Sequence, residues 1–190
     1  MGMFTSTNPV FEMLKADHEK VKALFAQFEE ANDSRTKERI VRETLLDLEV
    51  HAKVEEALIY PAIRREIDTH DIMDEALEEH HVAHTLINEL KRMTPSDARF
   101  DAKFTVLGES IKHHVQEEEG HMFPEAEKAD LPWEELQQQV MKRKEALLAK
   151  QTSGNSRASR RSSGRKSTPR SGKAASSRKR GRRPFAVGKR

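Results

Sequence analysis

The sequence predicts an all-α protein, an antiparallel four-helix bundle with one C-terminal helix appended and a disordered basic tail. Three observations lead there. Of the 8 glycines only Gly2, Gly108 and Gly120 precede residue 150, so long stretches are free of the commonest helix breaker after proline. Four long segments repeat apolar residues at alternating spacings of three and four, the period of a helix with one buried face. Residues 151–190 hold 14 Lys/Arg and nine serines but no Asp, Glu or His, a composition that cannot offset its own ordering entropy.

The first helix starts at Asn8, a good N-cap, with Pro9 at the position where a missing N–H costs nothing. Its buried stripe is Phe11, Leu14, His18, Val21, Phe25 and Phe28. After the polar break at Asn32-Asp33-Ser34-Arg35, a second stripe runs Val41, Thr44, Leu48, His51, Glu55, Leu58, and Pro61 is expected to stop or kink that helix. A third helix from about Asp71 to Arg92 carries Met73, Leu77, His80, His84 and Ile87. The turn Thr94-Pro95-Ser96-Asp97 leads to a fourth, with Phe100, Phe104, Leu107, Ile111, His114 and Glu118, expected to end at Pro124. A fifth begins near Asp130, with Trp133 as its anchor, and runs to about Lys150. The expected division is therefore a body over residues 1–150, with its bundle core at about 9–125, and a tail over 151–190.

Composition narrows the chemistry. The chain has 34 Lys/Arg and 32 Asp/Glu, but with 14 of the bases in the tail the body is acidic by about 12 charges. The absence of Cys excludes disulfides, thiolate zinc sites, iron–sulfur clusters and a cysteine nucleophile. No apolar run approaches the roughly 18 residues of a membrane span, and the N-terminus has no basic and apolar leader. The expectation is a soluble cytoplasmic protein with no membrane partner. Phosphate-binding glycine loops, a Gly-x-Ser-x-Gly elbow and the H-E-x-x-H of zinc proteases are all missing.

The informative motif is an internal repeat. The second helix reads His51-x3-Glu55-Glu56-x3-Tyr60-Pro61 and the fourth reads His114-x3-Glu118-Glu119-x3-Phe123-Pro124. Each is preceded by a helix carrying a lone histidine, His18 or His80, at a separation of 33 or 34 residues. The body thus looks like two helical hairpins of one design. Residues i and i+4 share a helix face, so each pair can reach a common point. Unpaired in a core, such groups would each cost several kcal/mol, on the order of 2–7. Packed face to face, the hairpins would bring four imidazoles and two carboxylates to the bundle centre, a donor set that suits iron, with carboxylates able to bridge two ions.

In this pattern His18, His51-x3-Glu55, His80 and His114-x3-Glu118, each pair followed by a proline, resemble the hemerythrin-like HHE cation-binding domain over roughly residues 9–125. That resemblance implies a non-haem di-iron centre, two ions bridged by oxo and carboxylate groups. It also implies binding of, or reaction with, dioxygen, peroxide or nitric oxide, and a place in oxidative stress. The repeat His80-x3-His84 is similar to the two-histidine third helix of true hemerythrins, which adds His84 to the expected ligands. Glu118 stands four residues after its histidine, where true hemerythrins have an Asp five residues on, and this favours the broader bacterial-type group. The resemblance is compatible both with a site that reacts with its ligand and with an iron- or oxygen-responsive regulatory module without turnover. No general base or nucleophile outside the ligand set stands out. His81, His113 and His70 read as solvated, and His121 as exposed or lining the mouth rather than standing behind the ligands. Glu56 and Glu119 are either acceptors behind the ligands or surface carboxylates, the surface reading being favoured, and Tyr60 and Phe123 are packing residues, with Tyr60 also able in principle to donate a phenolate.

The tail points to a polyanion. Its uniform positive charge predicts salt-sensitive binding to nucleic acid, DNA ahead of RNA. Lys179-Arg180-Gly181-Arg182-Arg183-Pro184 resembles the Arg-Gly-Arg-Pro core of an AT-hook, with one Arg inserted. The whole then reads as a di-iron bundle tethered near the nucleoid.

Overall fold

In a computed structural model of the chain, residues 8–67 and 70–163 are described, with side chains described as far as 150 except at 70, so the expectation for His70 lies outside the described residues. Helix α1 (Pro9–Glu30) begins where the cap chemistry requires: the Asn8 side chain accepts the N–H groups of Val10 at 3.0 Å and Phe11 at 3.4 Å. Asp33 caps α2 (Ser34–Val54) through the Thr36 N–H at 2.9 Å. A π-helical turn over Glu55–Ile59 leads directly into α3 (Tyr60–Ile63). Helices α4 (His70–Leu90) and α5 (Phe100–Glu117) form the second hairpin, and α5 continues through a second π-helical turn, Glu118–Met122, into α6 (Phe123–Ala126). Helix α7 (Trp133–Ser163) follows. No strand occurs among the described residues.

The helices pair as α1 with α2 and α4 with α5, and the hairpins meet through α1 with α5 and α2 with α4. Short connections make each pair antiparallel. Two apolar clusters fill the bundle, one on either side of a polar middle. One groups Val21, Leu24, Phe28, Ile40, Phe100, Phe104 and Leu107. The other groups Phe11, Leu14, Ile59, Tyr60, Ile63, Met122 and Phe123, and it also takes in Leu136 and Val140 of α7, with Trp133 packed on its edge. Trp133 stands 5.1 Å from Phe11 by ring centroids, as an anchor should.

The structure corrects four details of the sequence reading. The prolines do not end their helices: Pro61 and Pro124 lie in the first turn beyond the π-helical turns, and the rods run on to Ile63 and Ala126. The extra residue in the first wide turn also shifts the helical phase, so Ile59 is buried in place of Leu58. On α4 the buried face passes through Ala76 and Ala83, leaving Leu77 exposed and His84 on the flank. Last, α7 continues past Lys150 to Ser163, with no proline between Pro132 and Pro169 to stop it. The chain separates into two units, Met1–Ser153 and Gly154–Arg190. Of the second, only the helical backbone of 154–163 is described; the expected disorder over 164–190 and the AT-hook-like segment fall outside the described residues.

Candidate metal centre

Between the two apolar clusters six side chains converge, all of them buried: His18, His51, Glu55, His80, His114 and Glu118. The i, i+4 spacing puts each His and Glu of a pair on one face, and both π-helical turns begin at the glutamate itself. Local widening of the helix is a common device for aiming a side chain at a functional site, and the repeat places it identically in both hairpins. His18 Nε2 faces His51 Nε2 at 3.1 Å, and His80 Nε2 faces His114 Nε2 at 3.2 Å. Glu55 spans the hairpins, with Oε1 3.0 Å from His51 and Oε2 3.5 Å from His80. Glu118 mirrors it through Oε2, 3.4 Å from His18 and 3.5 Å from His114.

A carboxylate stands behind every imidazole. His51 Nδ1 lies 3.2 Å from Asp17, and His114 Nδ1 lies 2.8 Å from Glu79. His18 Nδ1 lies 2.7 Å from Glu119, and His80 Nδ1 lies 3.0 Å from Glu56. The first two contacts stay inside a hairpin. The other two cross from one hairpin to the other and so lock the halves together. With Nδ1–H donating outward to a carboxylate, each Nε2 lone pair is left pointing inward, the tautomer a metal ligand needs. Glu56 and Glu119 are therefore partners of the site rather than plain surface carboxylates. Asp17 and Glu79 were missed, although an acid directly before the lone histidine recurs in both hairpins and was available as a signal.

The repeat is broken at its aromatic position. Tyr60 donates its hydroxyl to Glu118 Oε1 at 2.7 Å, while Phe123 stacks on Phe11 at 4.4 Å and offers Glu55 nothing. Burial, reinforced by the charges of Glu55 and Glu118, pushes the Tyr60 hydroxyl well above its ordinary range, so it stays a donor. His84 joins neither half: its Nε2 lies 3.3 Å from Glu56 Oε1, behind His80. His81, His113 and His121 are exposed.

The electrostatics carry the mark of donors brought together. Burial alone would push His51 down, yet the charge of Glu55 and the Asp17 hydrogen bond raise it to about 10. His114 moves the same way, with burial overcome by Glu118 and Glu79. At His80 burial wins, helped by His114, and its value is lowered. Burial would raise Glu118, but the facing His114 and the contact with His18 hold it well below the usual carboxylate range.

These residues pass a direct test of fit for metal. Both oxygens of Glu55 and Oε2 of Glu118 are fully buried and accept no hydrogen bond, although Glu55 Oε1 lies 3.0 Å from His51 Nε2. Buried unpaired carboxylate oxygens are costly, and cations satisfy them. Among the described residues, two groups have ligand atoms close enough to hold an ion: His18, His51, Glu55 and Glu118, and, sharing Glu55, His80 and His114. Beside them lies a cavity of about 30 Å³ bounded by Val21, Leu48, Ala83, Ile87, Ile111 and five histidines, the four facing imidazoles and His84.

Fold and site together define a four-helix bundle with a buried histidine–carboxylate cation site. The chain belongs to the hemerythrin HHE cation binding domain family, whose pattern matches residues 10–126. It is 30% identical over 115 residues to a DNA nickase of Nostoc sp., covering 59% of this chain and 32% of that protein. It is 25% identical over 114 residues to an uncharacterized hemerythrin-like protein of Schizosaccharomyces pombe, covering 59% of this chain and 56% of the relative. The match thus spans between about a third and just over half of these relatives' lengths. The crystal structure of a hemerythrin HHE cation binding domain-containing protein from Mycobacterium kansasii superposes with a TM-score of 0.62 at 26% identity, covering 72% of this chain and 85% of that one. Among the described residues no helix is long and apolar enough to cross a membrane.

Proposed function

We propose that the protein is a non-haem di-iron protein that binds or reacts with dioxygen, peroxide or nitric oxide, and that residues 151–190 tether it to nucleic acid. The carrying observation is the pair of facing imidazoles on each side of two buried carboxylates whose oxygens lack partners. His18 and His51 would hold one ion, His80 and His114 the other, with Glu55 and Glu118 between them. His84 would enter only by releasing Glu56. Iron bound there supplies electrons for reducing a small oxidant. The chain's own residues do the rest: four carboxylates fix the imidazole tautomers, Tyr60 holds one oxygen of Glu118, and the apolar walls keep bulk water out. A cavity of about 30 Å³ suits a diatomic molecule or one or two waters, not a phosphodiester, which favours a small oxidant as the reactant.

Nucleic-acid tethering is supported by the 14 basic residues of the tail and by the likeness to a protein named as a DNA nickase. An acidic body on a basic tail would keep the iron site off the phosphates while holding it nearby, in the cytoplasm at the nucleoid. The test is metal analysis with an optical spectrum of aerobically purified full-length protein. About two irons per chain, with near-ultraviolet bands lost in His51→Ala, is the expected result. No iron, or a single zinc, would sink the di-iron reading. Peroxide consumption by the loaded protein then separates reaction from sensing.

A further inference from the structure

Besides the break at Tyr60 and Phe123 and the presence of His84 on one side, the two halves of the centre differ in what supports their outer carboxylates. Asp17 and Glu79 occupy the same place in the repeat, immediately before the lone histidine, and each binds the Nδ1 of the paired histidine in its own hairpin. Glu79 is longer by one methylene and reaches His114 at 2.8 Å. Its other oxygen lies 3.5 Å from His113, which is exposed, and meets no lysine or arginine among the described residues. Asp17 is shorter and stands 3.2 Å from His51. It is gripped at both oxygens by Lys144 Nζ, at 2.7 and 2.6 Å.

Lys144 comes from α7, beyond the 10–126 span of the family match. Its position is set independently of Asp17, because Leu136, Val140 and Lys144 follow one another at i, i+4 on one face, and the first two are buried in the bundle. Helix α7 is also tied to α1 by the contact of Trp133 with Phe11 and by Gln137, which donates to the Pro9 carbonyl at 3.3 Å. The ion pair is three-quarters or more shielded from solvent on both sides, so its geometry is restrained where a surface pair's would not be.

We propose that Lys144 is a positioning residue for His51: acting through Asp17, it fixes the imidazole that would hold an ion in the His18/His51 half, and so makes that half unlike the His80/His114 half. The inference rests on the two-ion reading of the site and adds a role for the appended helix. An outer carboxylate left free to rotate no longer holds its histidine in one orientation. Loss of such outer partners typically weakens metal binding by about 10–100-fold.

The test compares full-length Lys144→Met and Lys144→Arg with wild type. Two readouts are used: the imidazole proton–nitrogen NMR spectrum of the metal-free protein, and stepwise anaerobic titration with cobalt(II), whose absorption reports coordination. In Lys144→Met the His51 Nδ1–H signal is expected to broaden or vanish while that of His114 persists. One of the two binding steps should weaken by about 10–100-fold and the other stay in place. Lys144→Arg, which can clamp a carboxylate with two hydrogen bonds, should restore both. Retention of the His51 signal, or equal weakening of both steps, would overturn the proposal, since a merely structural ion pair does that. If wild type binds no cobalt, the two-ion reading falls, and the metal-free spectra alone decide the positioning role in the same way.

Discussion

Replacing Tyr60 by Phe removes one oxygen atom from the interior and leaves the ring where it is. That oxygen donates to Glu118 Oε1 at 2.7 Å, and Glu118 Oε2 already lacks a hydrogen-bond partner, so the variant strands a completely buried carboxylate. No cavity of consequence opens, and the cost is electrostatic. A hydrogen bond to a charged group contributes about 1.5–3 kcal/mol, and the metal-free variant should be less stable by that amount. For a body of this size it corresponds to a fall in Tm of about 3–12 °C. The assay is urea unfolding of protein stripped of metal by chelation, with unchanged m-values as the check that only stability moved. Repeated with bound metal, the loss should shrink, because an ion satisfies the carboxylate in place of the phenol. A loss below about 0.5 kcal/mol in the metal-free protein, the size of an ordinary surface substitution, would refute the reasoning. It would mean that Glu118 does not depend on Tyr60.

Other expectations test separate parts of the structure. Gly120 has open space where a Cβ would go, so Gly120→Ala should stabilise by about 0.5–1 kcal/mol. At Gly108 a Cβ would meet Phe25 at 3.0 Å, so Gly108→Ala should gain clearly less by thermal unfolding. His51, raised from 6.5 to about 10, stabilises the metal-free fold fully below about pH 6.5, and that contribution is lost as pH rises through about 10. Unfolding midpoints of stripped protein should therefore fall between pH 7 and 10. Metal uptake at pH 7 should also release protons, which a weakly buffered titration would detect. A chain ending at Lys150 should lose binding to duplex DNA in a gel-shift assay, and the full chain should bind with a log affinity that falls linearly with log salt. Equal binding by both chains would remove the tail from that role.

Much of the centre was legible because the repeat is written twice. A polar residue on a buried helical face is costly, and chance does not duplicate a register of six of them; this made His18, His51, Glu55, His80, His114 and Glu118 readable from spacing. Helix period and cap chemistry likewise set the four main helices and the start of α1 at Asn8. Spacing along one helix, however, carries no information about contacts between helices. Glu56 and Glu119 look like surface residues on their own helices and become hydrogen-bond partners only when the opposite hairpin supplies His80 and His18. The π-helical turns were illegible for a different reason. No residue type demands them, and the phase shift that buries Ile59 in place of Leu58 follows from packing.

His84 shows where the two sources of information divide. By sequence it shares a face with His80, at the spacing of a ligand pair. In three dimensions the buried line of α4 runs through Ala76, His80 and Ala83, and His84 ends on its flank against Glu56, outside the six. The sequence alone determined the bundle, its repeat and the chemical types of the central donors, because period and burial cost act locally along each helix. Only the tertiary structure decided which carboxylate holds which imidazole, that Tyr60 serves Glu118, and that Lys144 reaches Asp17 across 127 residues of chain. These depend on distances between helices, which packing sets.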